Sequence, residues 1–147
     1  MAKSITSLAV AIAVSEGKIR SLDDRADIYA PKLAGTLHGE KTIRNLLRMS
    51  SSAHFTERYD KNDDLARFSD SIATDGIEAA AKIITEREAP QGSRFSYASF
   101  QTDMVGAVLR GATGMTVSDY LTLRLWQALG AETSALWRGV VRRYGRW

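Results

Sequence analysis

The chain has 147 residues, 44% hydrophobic and 25% charged, enough for one domain with a buried core. It has no cysteine, which excludes disulfides, thiolate catalysis and cysteine-ligated metals and leaves the redox compartment and the localisation open. The formal charge of +3 sits in the tail: without Arg138, Arg142, Arg143 and Arg146 it becomes −1, and no basic stripe with interleaved aromatics precedes them, which argues against nucleic-acid binding.

In Met1 to Glu16, Ile5, Leu8, Ala9, Ile12 and Ala13 fall on one helical face and Val10 and Val14 add a second strip. That pattern predicts a helix buried nearly all round and ended by Gly17. It carries one cation, Lys3, and is too short to span a bilayer. The same stretch also reads as a secretory signal, with Lys3 as the charged region, Ile5 to Val14 as the apolar core and Ala11-Ile12-Ala13 as the cleavage site. A third reading is a plain core helix whose Lys3 reaches solvent along its methylene stem. Under the signal reading residues 1–13 are removed, and what remains is a small secreted or partner-binding helical protein.

Ser21, Asp23 and Asp24 signal a second helix, limited by Pro31, and Leu33 to Gly39 reads as loop. Thr42 caps a third helix whose stripe is Ile43, Leu46 and Leu47. The run Ser50-Ser51-Ser52 has no partner base, and His38 and His54 are lone histidines. Neither His-Glu-x-x-His nor Gly-x-Ser-x-Gly occurs, so a zinc hydrolase and an α/β-hydrolase triad are unsupported.

Phe55 to Asp64, with Tyr59 at its middle, is a polar connection or the rim of a substrate mouth. Leu65, Phe68 and Ile72 predict a short helix, and Thr74 or Asp75 caps a longer one with Ile77, Ala80, Ala81 and Ile84 on one side. Pro90 and Gly92 lead to Phe95-Ser96-Tyr97-Ala98-Ser99, where Ser99 caps a helix buried through Met104, Val105, Val108 and Leu109. Tyr97 just before a helix N-terminus feels the positive end of the dipole, which with a nearby ammonium favours tyrosinate; otherwise it is an aromatic packing residue in a loop. A last helix runs from Asp119 to Leu129 and stops at Gly130. The total is about six helices and no strand.

The literal Ser-x-x-Lys, Ser15-Glu16-Gly17-Lys18, is a decoy, because Gly17 breaks the helix between the two side chains. A second such pair would be completed by a serine immediately before Met1, which with Lys3 would share one helical face.

Met1-Ala2-Lys3-Ser4, Glu16-Gly17-Lys18-Ile19, Ser21-Leu22-Asp23-Asp24, Thr42-Ile43-Arg44-Asn45-Leu46-Leu47, Met49-Ser50-Ser51 and Tyr97-Ala98-Ser99 occur in that order. From Ala2 to about Trp137 the chain resembles the serine β-lactamase and penicillin-binding-protein superfamily, in its class C-like branch of 6-aminohexanoate-dimer hydrolases and related esterases. The resemblance implies a mainly α piece, the helical subdomain of the α/β β-lactamase-like (transpeptidase) fold, with the antiparallel sheet largely missing. Residues 1–137 would be a partial hydrolase domain and residues 138–147 an unmatched basic tail.

The resemblance further implies acyl transfer through a serine ester. The serine before Met1 attacks an amide, lactam or ester carbonyl, Lys3 and Tyr97 shuttle the proton, and backbone amides hold the oxyanion. Ser99 occupies a substrate-binding position where many members carry asparagine, which puts amide recognition of the β-lactamase kind in doubt. No cofactor or metal is implied, the substrate is a small-molecule amide or ester, and the oligomeric state is not readable. Without the serine the chain is expected to be inactive, with exposed apolar surface on the first helix and marginal stability in isolation.

Overall fold

The computed structural model describes residues 2–137, and the basic tail, 138–147, lies outside them. Helix α1, Ala2–Ser15, packs against α6, Phe100–Thr113, and α6 is the hub: α2, Ala26–Tyr29, and α3, Ile43–Leu47, lie against it as well. Among the described residues there is no strand, only isolated bridges between Arg25 and Thr42 and between Ala53 and Arg87. The mainly α expectation holds among the described residues.

Thr6, Ala9, Val10 and Ala13 of α1 are buried, and Gly17 ends the helix at φ +69. The expectation of burial nearly all round fails. Ser4, Leu8, Ala11 and Ser15 form an open stripe on the opposite side, with Leu8 48% exposed. This face mixes serine and alanine with Leu8, the one large apolar side chain of α1 among the exposed residues.

The second helix begins later than Ser21 predicts. Backbone N–H groups of Ile43 and Arg44 donate to the carbonyls of Asp24 and Leu22, so this segment is committed to a neighbour before it can coil. The Ser21 hydroxyl accepts instead from Asp23 N at 3.0 Å, in a local turn. Thr42 caps α3 as expected, accepting from Asn45 N at 3.2 Å.

The helix predicted around Leu65, Phe68 and Ile72 is longer than the pattern suggests. It is α4, Asp64–Asp75, with Asp63 accepting from Ala66 N at its cap. The next is shorter: Gly76 at φ +90 separates α5, Ile77–Ala80, from α4, and the chain then tightens into i to i+3 turns before Ile84. The last helix divides into α7, Val117–Leu121, and a π-helical turn, Thr122–Trp126, instead of running on to Leu129.

The core centres on Phe100, whose ring lies 4.7 Å from Phe55, 6.0 Å from Phe68 and 4.6 Å from His38. His38 is fully buried and neither ring nitrogen has a hydrogen-bond partner. Burial, then the nearby Lys41 charge, push its imidazole down to about 4, so it sits in the core as a neutral aromatic. A surface or hydrogen-bonded role, the common fate of a lone histidine, is not what the fold gives it.

At the far end of α6, Gly111 meets the backbone of α2 directly. A Cβ on it would lie 1.8 Å from the Tyr29 carbonyl oxygen. Only glycine allows this approach, so this residue fixes how α6 sits.

Candidate active site

The N-terminal end of α1 and the turn before α6 meet, because α1 and α6 pack side by side. The Lys3 ammonium lies over the face of the Tyr97 ring, 4.9 Å from its centroid, within cation–π range. The two residues to which the resemblance gives a proton-transfer role are therefore neighbours, although no helical periodicity links them.

Tyr97 is half exposed, and its phenol is held below the ordinary range by the Lys3 ammonium first and the Ser99 hydroxyl second. We assign the effect to Lys3. The single Ser99 proton is already given to Glu57, with Oγ 2.6 Å from Oε1, and a carboxylate only accepts. Glu57 Oε2 also accepts from Ser99 N at 2.7 Å, and Oε1 accepts from the Tyr59 hydroxyl at 2.9 Å. Ser99 does stand at the N-cap position of α6, but its backbone is already helical and its side chain makes no cap bond; its N–H and its hydroxyl both donate to Glu57.

The loop that carries Tyr97 is held from below. Ser96 N donates to Met49 O at 2.7 Å, and the buried Gln101 side chain donates to Ser96 O while accepting from Ser51 N. Met49 itself has φ +53, a left-handed turn that ends α3 under the site. Beside Lys3 opens a cleft of about 220 Å³, lined by Ser4, Ser7, Leu46, Met49 and Thr102 among others. Asp103, in the first turn of α6, is exposed; protein crowding pushes its carboxyl upward, Lys3 opposes this and Glu57 adds to it, while solvent at its open side limits the effect.

The remaining chemistry-bearing residues are occupied elsewhere. Ser50, Ser51 and Ser52 are buried, and Ser52 Oγ donates to Pro90 O at 2.8 Å. His54 pairs with Glu88 at 2.6 Å, and Ser15 Oγ turns back to Ile12 O at 2.8 Å, away from any dyad with Lys18. Among the described residues no group of three or more His, Asp or Glu is placed to hold a metal ion. No described helix is long and apolar enough to cross a membrane.

Residues 1–144 match the family model described as Beta-lactamase. The chain belongs to the beta-lactamase family. This family of serine hydrolases acts on small amide or ester substrates. Within it, the chain is 24% identical over 142 residues to a 6-aminohexanoate-dimer hydrolase of Paenarthrobacter ureafaciens, covering 92% of the chain and 36% of that protein. A solved structure, "Putative 6-aminohexanoate-dimer hydrolase from Bacillus anthracis", matches with a TM-score of 0.68 at 24% identity, covering 85% of the chain and 35% of its own length. That likeness carries the fold, and this beta-lactamase family chain spans roughly a third of both relatives.

Sequence reasoning missed Glu57 and Asp103. Asp103 had a signal, since it lies four residues after Ser99 and so returns to the same helical side at the start of α6. Glu57 had none beyond its place in a polar connection close to Tyr59.

Proposed function

We propose that residues 1–137 hold the helical part of a serine hydrolase active site, with Lys3 and Tyr97 as its proton-transfer pair and Ser99 facing the substrate. The observation that carries this reading is the convergence of the Lys3 ammonium on the Tyr97 ring at 4.9 Å. A lone loop tyrosine and a lone helix-terminal lysine have no structural need of each other.

In this reading the nucleophile is a serine directly before Met1, one helical turn from Lys3. Its oxygen bonds to the amide, lactam or ester carbonyl as its proton passes to the Lys3–Tyr97 pair. The pair returns that proton to the departing amine or alcohol as the bond to it breaks. Water, deprotonated by the same pair, then bonds to the acyl carbon as the serine–acyl bond breaks, and the pair passes that proton to the serine oxygen. A polypeptide of residues 1–147 contains no serine three positions before Lys3 and is inactive in this reading.

The reading frame upstream of Met1 tests the proposal. A serine codon directly before Met1, preceded by strand-patterned sequence, is expected; an in-frame stop codon there overturns it. A stop would favour the alternative, a small secreted or partner-binding helical protein with residues 1–13 as a signal. Against that alternative weighs the burial of Ala9, Val10 and Ala13, since cleavage after residue 13 would strip three residues from the core.

A further inference from the structure

Glu57 reaches from the Phe55 to Asp64 connection to the turn before α6, and each of its oxygens is used there. Oε2 takes the backbone N–H of Ser99, and Oε1 takes both the Ser99 and the Tyr59 hydroxyls. The carboxylate sits at the positive end of a 14-residue helix, where a negative charge is favoured. Tyr59 is 76% exposed and adopts φ +62, uncommon for a residue with a side chain. Asp63 holds that conformation, its Oδ2 accepting from Arg58 N at 2.7 Å and Tyr59 N at 2.8 Å. The connection is thus built to deliver Glu57 and Tyr59 to the Tyr97 turn.

Resting on the reading above, we propose that Glu57 is the positioning residue of this site: it clamps the Tyr97-Ala98-Ser99 turn and, by taking the hydroxyl proton of Ser99, makes Ser99 Oγ a pure hydrogen-bond acceptor toward substrate. An amide side chain at this position would offer two donor protons and an acceptor. A hydroxyl whose proton is committed to a carboxylate offers lone pairs alone. What position 99 selects is therefore a substrate with an N–H or O–H donor beside the scissile carbonyl, and a carbonyl oxygen there finds no donor in Ser99. The Glu57 charge also opposes Lys3 at Tyr97, raising the phenol that the ammonium lowers.

Nuclear magnetic resonance on the 147-residue chain tests the clamp, the charge and the acceptor separately. Glu57→Ala removes the Ser99 N–H acceptor, and amide exchange at Ser99 is expected to accelerate about tenfold or more; an unchanged rate overturns the clamp. Glu57→Gln keeps the shape and removes the charge, so the Tyr97 phenol, assigned with Tyr97→Phe, is expected to titrate at lower pH. Glu57→Asp should restore the wild-type titration, which a purely structural role would not predict, and a titration indifferent to both variants overturns the coupling. N-methylacetamide, which carries an N–H, should shift the Ser99 resonances where N,N-dimethylacetamide does not; equal shifts overturn the acceptor assignment. Lys3→Met checks the underlying site: if it leaves the Tyr97 titration unmoved while the Glu57 variants move it, the pair fails and the clamp stands.

Discussion

The Tyr120 hydroxyl donates to Glu16 at 3.2 Å, joining α7 to the end of α1 across 104 positions of sequence. Burial first, then the bond to Glu16, push this phenol up to about 12, from an ordinary value of 10. A raised folded value gives stability that is whole below pH 10 and is lost as pH climbs toward 12, where the unfolded chain ionises and the folded one resists. We expect about 2–3 kcal/mol to disappear over that window. Urea unfolding at stepped alkaline pH measures it, and Tyr120→Phe should flatten the profile; an equally steep loss in that variant refutes the assignment.

His38 predicts the opposite slope on the acid side. Its folded value near 4 lies below the ordinary 6.5, so between these the unfolded chain binds the proton and the folded chain does not. Stability is full above about 6.5, falls as pH drops, and levels off below about 4, with a total loss on the order of 3 kcal/mol. His38→Phe keeps a ring against Phe100 and removes two unpartnered nitrogens, so its unfolding midpoint should vary less between pH 7 and 4. A parallel pH profile for the variant and the parent would show that His38 is not responsible.

Gly111→Ala should destabilise the fold by about 3 kcal/mol or more, since the added carbon cannot coexist with the Tyr29 carbonyl and α6 must back away from α2. Gly114→Ala serves as the comparison. Nothing lies within 4 Å of a Cβ there, and its cost comes only from φ +69. Thermal unfolding of both variants checks the ranking, which fails if Gly114→Ala proves the more damaging.

On the proposed reading, in which the nucleophile is a serine directly before Met1, a polypeptide of residues 1–147 should show turnover near background with nitrocefin or a p-nitrophenyl ester, because a hydrolase without its nucleophile loses several orders of magnitude in rate. Any turnover that is found should fall in Lys3→Ala. Hydrolysis that persists unchanged without Lys3 would place the chemistry elsewhere on the molecule.

What the sequence makes legible follows from locality. Helix α1, the Thr42 cap and the buried side of α6 are each written in neighbouring residues, and they form as the periodicity and the cap predict. The start of α2 was misread because its upstream backbone bonds to Ile43 and Arg44, partners that lie outside any local window. Lys3 and Tyr97 came to notice through family resemblance, and their approach depends on how α1 lies on α6. Glu57 was invisible for the same reason: its partner Ser99 is 42 positions away. Ser99 reads as an ordinary helix cap, yet its backbone is helical, it makes no cap bond, and its donors go to Glu57.

Helix α6 is pinned at both ends, by Glu57 on Ser99 at its start and by Gly111 against Tyr29 near its finish. Between these points runs about 18 Å of helix, stiffened by buried Met104, Val105 and Val108. Such a rod acts as a lever. A small tilt forced where it rests on α2 swings the opposite tip, and Tyr97 with it, relative to Lys3 on a different helix. The contact between Lys3 and Tyr97 is accordingly tied to the α2–α6 seam, so a change beside Gly111 is felt at the opposite end of the helix.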